Sequence, residues 1–168
     1  MPQAILAHDV SYFLDRCLRR LLRRRPRFEI YTDGSLKRGI GSWAFVALQN
    51  DRVVHEASGR MKQTDSNRME FRAAIEALQW LPAASEVVLH SDSRILVDAL
   101  THERHVWKAA GWVRPRQREI HYLDEIKLLD GLSEKHDIAW KWVRAHSGLK
   151  HNERCDQLCI QVRTARFT

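Results

Sequence analysis

Cysteine is scarce in this sequence, and what there is does not pair. Cys17, Cys155 and Cys159 make an odd number, and their spacings match no metal-ligand pattern, which argues against a disulfide framework and against a cysteine-built zinc site. Long apolar runs are also missing. No stretch approaches the ~20 residues of a membrane-spanning helix, so the expectation is no membrane association and a reducing, cytoplasmic setting. Internal repeats and low-complexity linkers are absent as well. With 168 residues, 44% of them hydrophobic and 29% charged, the chain has enough apolar material for one well-buried soluble domain and too little for two large ones.

Acidic charge is in short supply, and unevenly so. The net charge is +7, yet residues 1–27 alone hold seven arginines (Arg16, Arg19, Arg20, Arg23, Arg24, Arg25, Arg27) against Asp9 and Asp15. Five of the seven excess charges therefore lie in that segment, and residues 28–168 are nearly balanced. From Val10 to Leu22 the apolar residues Val10, Phe13, Leu14, Cys17, Leu18, Leu21 and Leu22 recur at helical spacing, with Asp9 or Ser11 to cap the start and Pro26 to mark the stop. Residues 1–27 thus read as an arginine-rich amphipathic helical extension, docked on the domain or acting as a nucleic-acid-binding arm. A transit peptide would share the arginines, but Asp9 and Asp15 count against it. The domain proper is expected at 28–168.

The domain opens with Phe28-Glu29-Ile30-Tyr31-Thr32-Asp33-Gly34-Ser35, whose alternation predicts a strand that breaks into a loop at Gly34. By itself Asp33 reads as a turn former, since Asp-Gly is a common turn dipeptide. A loop over Leu36 to Gly41 is expected next, then a hairpin of Trp43 to Leu48 and Arg52 to Ala57. Met69, Phe71, Ala74, Ile75 and Leu78 predict a helix ended near Pro82, and Val87-Val88-Leu89 a buried strand. Ile95, Leu96, Val97 and Leu100 resume helical spacing. Residues 101–118 are polar and aromatic, a helix is expected over Arg118 to Leu129, a strand over Ile138 to Val143, and a last helix carries Cys155, Leu158, Cys159 and Val162. A hairpin followed by strand–helix alternation predicts an α/β domain with a mixed sheet.

Two strands end in an acid in the same context, Thr32-Asp33-Gly34-Ser35 and Ser91-Asp92-Ser93, and such strand ends deliver residues to a crevice at one sheet edge. Glu70 is expected in the first turn of the helix between them, and Asp156 lies on the final helix after His146-Ser147-Gly148. Singly, each acid reads as a cap or a solvated surface group; Asn67-Arg68-Met69-Glu70 loosely fits a capping box. Together, four carboxylates in one crevice would repel and raise at least one pKa unless a cation neutralised them. Oxygen-only clusters suit magnesium or manganese.

The segments Tyr31-Thr32-Asp33-Gly34-Ser35, Asn67-Arg68-Met69-Glu70, Ser91-Asp92-Ser93, Trp140-Lys141-Trp142-Val143 and Asn152-Glu153-Arg154-Cys155-Asp156 closely resemble type 1 ribonuclease H, the cellular bacterial form, over about residues 28–163. The resemblance implies a ribonuclease H-like fold, a five-stranded mixed sheet with its second strand antiparallel, flanked by helices. It implies endonucleolytic, sequence-independent cleavage of the RNA strand of RNA–DNA hybrids, with Asp33, Glu70, Asp92 and Asp156 holding two Mg2+ ions (Mn2+ as a substitute) and His146 assisting proton transfer or product release. Gly34, Ser35, Ser66, Asn67, Arg94 and Asn152 are the implied substrate contacts, because only 2′-hydroxyls distinguish RNA from DNA along a backbone. Two alternatives stand beside this reading: a catalytically weak hybrid-binding module, and a transposase or integrase relative of the same superfamily. The expected state is a monomer, with pairing through the N-terminal helix as the alternative.

The sequence also departs from the family pattern. The loop after Asp33 is short, Asp65 stands where a threonine commonly helps bind a DNA phosphate, and Lys108 is followed by Ala109-Ala110 with Glu103 nearby, where many members carry a basic handle. The arginine-rich helix is expected to compensate for these changes. Deleting residues 1–25 is expected to weaken hybrid binding at low salt and to flatten its log–log salt dependence by roughly two to four units. Turnover at saturating substrate should change little. Titrations at several salt concentrations check this; loss of stability or a changed hydrodynamic mass with an untouched slope would assign the helix a structural role instead.

Overall fold

The computed structural model describes residues 25–114, 116 and 118–165; the amphipathic helix expected over 10–22 lies outside them. Five strands, β1 (Arg27–Lys37), β2 (Ile40–Gln49), β3 (Arg52–Lys62), β4 (Glu86–Ser91) and β5 (Asp137–Trp142), form one sheet in the order β3-β2-β1-β4-β5. The β1–β2 and β2–β3 pairs are antiparallel, while β1–β4 and β4–β5 are parallel. This is the mixed sheet expected from the sequence, with β2 antiparallel.

Helix α1 (Ser66–Trp80) packs on one sheet face through Phe71, Ala74, Ile75 and Leu78, all buried against Ile30, Phe45 and Leu89. The same layer holds α2 (Arg94–Asp98), a π-helical turn (Ala99–Glu103), α3 (Arg104–Ala109) and α4 (Leu123–Lys135), which bury Leu96, Leu100, Trp107, Ile126 and Leu129. Helix α5 (Lys150–Thr164) covers the other face, where Cys155, Leu158 and Cys159 meet Ala44, Val46 and Leu48. Strand β2 is thus apolar on both sides and reads as a near-continuous run, whereas β1 alternates because its α5-facing positions carry Glu29, Tyr31, Asp33 and Ser35.

Several boundaries differ from the sequence-based expectation. Strand β1 does not break at Gly34 but runs on to Lys37, because β2 pairs with it from Glu29↔Leu48 out to Lys37↔Ile40. The expected loop over 36–41 shrinks to the turn Arg38-Gly39, whose φ values of 53° and 74° are the left-handed pair that a two-residue hairpin requires. The second hairpin turn, Asn50-Asp51, uses the same device (φ 51° and 60°), and its strands run longer than their apolar cores. Residues 94–109 form one helical rod that continues into the polar and aromatic stretch that begins at 101, and Ile95 points to solvent at 50% exposure rather than into the core. Helix α4 begins at Leu123, not Arg118, after Tyr122 takes φ 59°; Ile120 is buried ahead of it, and Asp124 and Glu125 complement its N-terminal dipole.

Pairing between β1 and β4 stops at Thr32↔Ser91, while β1 continues along β2. That divergence opens a cleft immediately at Asp33 and Asp92. On the opposite side of β1, Gly34 lies against the backbone of α1: a Cβ placed there would fall 2.2 Å from the Glu70 nitrogen and 2.3 Å from the Met69 carbonyl carbon. Backbone cannot swing aside as a side chain does. Gly34→Ala is expected to cost at least ~1–3 kcal/mol, the usual range for overpacking. Urea unfolding measures it, and an unchanged midpoint would mean that α1 can retreat from β1 without penalty.

Candidate active site

Asp33, Glu70 and Asp92 each offer a carboxylate oxygen to a cluster whose members lie within 4.8 Å of one another. Asp33 comes from the interior of β1, Asp92 from the residue after β4, and Glu70 from the fifth residue of α1. Glu70 is therefore past the first helical turn, and it caps nothing. The α1 N-cap is Asp65, whose Oδ1 accepts from the Arg68 N–H at 2.9 Å. The Tyr122 hydroxyl donates to the same oxygen at 3.1 Å, and the Asn67 amide reaches Tyr122 at 3.4 Å. Released from capping, Glu70 turns inward and is buried.

Burial makes Asp33 and Glu70 costly to ionise. Desolvation, followed by the charge of Asp92, raises the Asp33 pKa to about 6, and Asp156 adds to the effect. Glu70 is pushed well above the usual carboxylate range by desolvation first and then by Asp33 and Asp92. The Gly34 N–H and the Ser91 hydroxyl oppose this only in part. Asp33 Oδ2 and Glu70 Oε2 are fully buried and have no hydrogen-bond partner. Two orphaned carboxylate oxygens facing a third carboxylate fit a hard divalent cation, which would satisfy both and remove the repulsion.

Of the remaining expected site residues, Asp156 sits half-buried on α5, near enough to influence Asp33 but outside the three-acid cluster. Asn152, one turn earlier on the same helix, is buried and donates to Asp92 Oδ2 at 3.3 Å. His146 is exposed on the β5–α5 loop at φ 52°, and that loop is closed by Ser147 Oγ–Arg144 O (2.7 Å) and Gly148 N–Glu153 Oε1 (3.1 Å). Arg94 is exposed, its guanidinium 3.9 Å from the centroid of the Trp142 ring, and the Trp142 indole donates to the Asp92 carbonyl at 3.0 Å. Ser66 is exposed at the start of α1. Ser35 is taken up within the fold, accepting from Arg163 and lying 3.2 Å from the Ser42 hydroxyl.

Sequence reasoning missed the supports behind the acids. Cys155 and Cys159 stand one helical turn apart beneath β1, their thiols directed at the Tyr31 carbonyl (3.3 Å) and the Asp33 carbonyl (3.6 Å). Burial and the nearby Asp33 raise both thiol pKa values, so they stay protonated and can donate. Their i, i+4 spacing on an apolar helix face was the available signal. The handle region is neutralised as well as shortened, because Lys108 Nζ is shared by Asp130 (2.6 Å) and Glu134 (2.7 Å).

Fold and site together define a class: an α/β domain with a cluster of three acids where two parallel strands part. The RNase H family model matches residues 25–164. A ribonuclease HI from Synechocystis is 41% identical over 134 residues, covering 78% of this chain and 84% of the relative. A ribonuclease H from Francisella philomiragia is 39% identical over 130 residues, covering 76% and 85%. Among solved structures, LC9-RNase H1, a type 1 RNase H, superposes with a TM-score of 0.73 at 27% identity over 82% of this chain and 72% of that one. The chain belongs to the ribonuclease H family.

The raised acids generate a pH signature in metal-free protein. An acid whose folded pKa lies above its unfolded value is most favourable to folding when protonated, so its contribution is intact below about pH 4 and declines as pH rises through about 6. Asp33→Asn should therefore gain stability relative to wild type over that window, on the order of 3 kcal/mol by pH 7. Denaturant unfolding at stepped pH, after removal of divalent ions, checks it; a pH-independent difference would mean that Asp33 is not raised.

Proposed function

We propose that the chain is an endonuclease that hydrolyses the RNA strand of RNA–DNA hybrids, independent of base sequence, with Mg2+ held by Asp33, Glu70 and Asp92 and a second ion completed by Asp156. The observation that carries this is the buried three-acid cluster with two orphaned oxygens, set in a ribonuclease H domain. When bound there, divalent ions supply Lewis acidity, lowering the pKa of water for attack at phosphorus and offsetting charge on the departing 3′ oxygen.

The chain's own residues do the rest. Asp33 and Glu70 would hold the cations at a fixed place, because the strand and helix that carry them pack backbone to backbone at Gly34. Asn152 orients Asp92 through its amide. His146, exposed on a short closed loop, can approach the reacting phosphate and move a proton at its imidazole. Selection of RNA falls to groups that meet the 2′-hydroxyl beside the acids: the backbone at Gly34 and Ser35, the side chains of Ser66 and Asn67, and Arg94 stacked on Trp142. The two free thiols Cys155 and Cys159 suit a reducing, cytoplasmic compartment, and the reading takes the monomer as the working unit.

The test is to incubate the protein with labelled RNA–DNA hybrid, duplex DNA and duplex RNA, each with and without Mg2+. Cleavage of the hybrid's RNA strand alone, and only with the ion, is expected. Asp92→Asn should lower that rate by several orders of magnitude while leaving thermal stability unchanged or slightly raised, because it removes one of three mutually repelling charges. Near-wild-type turnover in this variant would sink the assignment.

A further inference from the structure

Several cations of this domain are paired with acids. Arg27 pairs with Glu86, Arg68 with Glu125, Arg72 with Glu76, Arg154 with Glu56, and Arg104 and Lys108 share Asp130. Three other cations gather around one groove. Lys37, Arg38 and Arg163 line a groove of about 500 Å3 together with Ile40, Ile160 and Thr164. Among the described residues none of these three cations makes an ion pair.

Arg163 is not a loose surface side chain. Its Nη1 donates to the hydroxyls of Ser35 and Ser42, the latter at 2.5 Å, and those two oxygens are 3.2 Å apart. The guanidinium is half-buried in a cradle of neutral oxygens that fixes its position and leaves its charge uncompensated. Lys37 and Arg38 are exposed at the β1–β2 turn opposite it, and Ile40 and Ile160 give the groove an apolar floor. A fixed guanidinium, two mobile cations and an apolar floor suit a sugar–phosphate segment, with phosphate meeting the charges and ribose meeting the isoleucines.

Position ties the groove to the acids. Lys37 is four residues beyond Asp33 on β1 and on the same side of the sheet, about 13 Å along the strand. Ile160, Arg163 and Thr164 follow Asp156 by four, seven and eight residues on one face of α5, about 6–12 Å along the helix. A backbone held at the acids can therefore continue into the groove. We propose that Lys37, Arg38 and Arg163 form a phosphate-binding groove for the hybrid backbone a few nucleotides from the cleaved bond. The groove takes over the grip that Asp65 and the neutralised Lys108 do not provide; this rests on the hybrid-cleaving reading above.

The test is hybrid binding by full-length protein without divalent ions, followed by fluorescence anisotropy from low to high salt. Lys37→Gln/Arg38→Gln changes only exposed turn side chains, so folding is retained. It should weaken binding roughly 5- to 20-fold near 0.1 M salt and lower the log–log salt slope by about one for each phosphate that is no longer neutralised. Arg163→Lys keeps the charge but removes the fork to the two serines, and should weaken binding less, with the slope nearly retained. Arg52→Gln, at the far end of the β2–β3 hairpin, removes charge elsewhere and should leave the slope as in wild type. Hybrids lacking phosphates near one end, in the RNA or the DNA strand, identify the strand: the strand whose trimming abolishes the difference between wild type and the double variant is the one bound. Equal slopes and affinities for wild type and the double variant would overturn the groove, as would a weakening matched by Arg52→Gln. Either result leaves wild-type cleavage of hybrid standing, whereas wild-type protein that cleaves no hybrid with Mg2+ would refute the functional reading itself.

Discussion

Backbone-to-backbone contact between β1 and α1 is the constraint on which the site is built. Because Gly34 has no side chain, the first turns of α1 settle against the strand, and Glu70 arrives beside Asp33 rather than a helix diameter away. The approach is driven by apolar burial on the same helix, where Met69, Phe71, Ala74 and Leu78 are fully covered. It also brings two buried carboxylates close together. Their mutual repulsion and desolvation are a local destabilisation that a bound cation would relieve, so fold stability and cation affinity would draw on the same geometry.

The second consequence of the topology is the cleft itself. Strand β4 ends at Ser91 while β1 continues, which leaves Asp33 and Asp92 facing an opening between parallel strands. Side chains from other elements then hold the cleft rigid. The Trp142 indole takes the Asp92 carbonyl, Asn152 takes its carboxylate, and the two thiols of α5 brace the Tyr31 and Asp33 carbonyls from beneath. Each support arrives from a segment distant in sequence.

Charge is arranged with the same economy. Acids pair with the cations of α1 and α3 and with Arg154 on α5, whereas Lys37, Arg38 and Arg163 gather where β1, β2 and the end of α5 meet. Arg163 depends on Ser35 and Ser42, which oppose each other in the β1–β2 ladder. The turn after β1, only two residues long, brings Lys37 and Arg38 to the same place. A short turn and a cradled arginine on the last helix of the chain thus act as one feature.

From the sequence alone, the order and type of most elements were legible, because strand alternation in β1, the apolar run of β4 and the helical spacing of α1 and α5 are local signals set by each segment's own burial. The acids were legible as well, since their strand-end and motif contexts lie within a few residues of each. Tertiary structure decided what depends on distant partners. Strand β1 outruns its apolar pattern because β2 supplies the hydrogen bonds, α4 starts late because Ile120 is drawn into the core and Tyr122 turns the chain, and Glu70 faces inward because Asp65 already caps α1. The closeness of Asp33, Glu70 and Asp92, the position of Asp156 beside rather than within that cluster, and the pairing of Lys108 but not Arg163 are likewise tertiary. Electrostatic energy depends on distances through space and on exclusion of water, and neither quantity is carried by position along the chain.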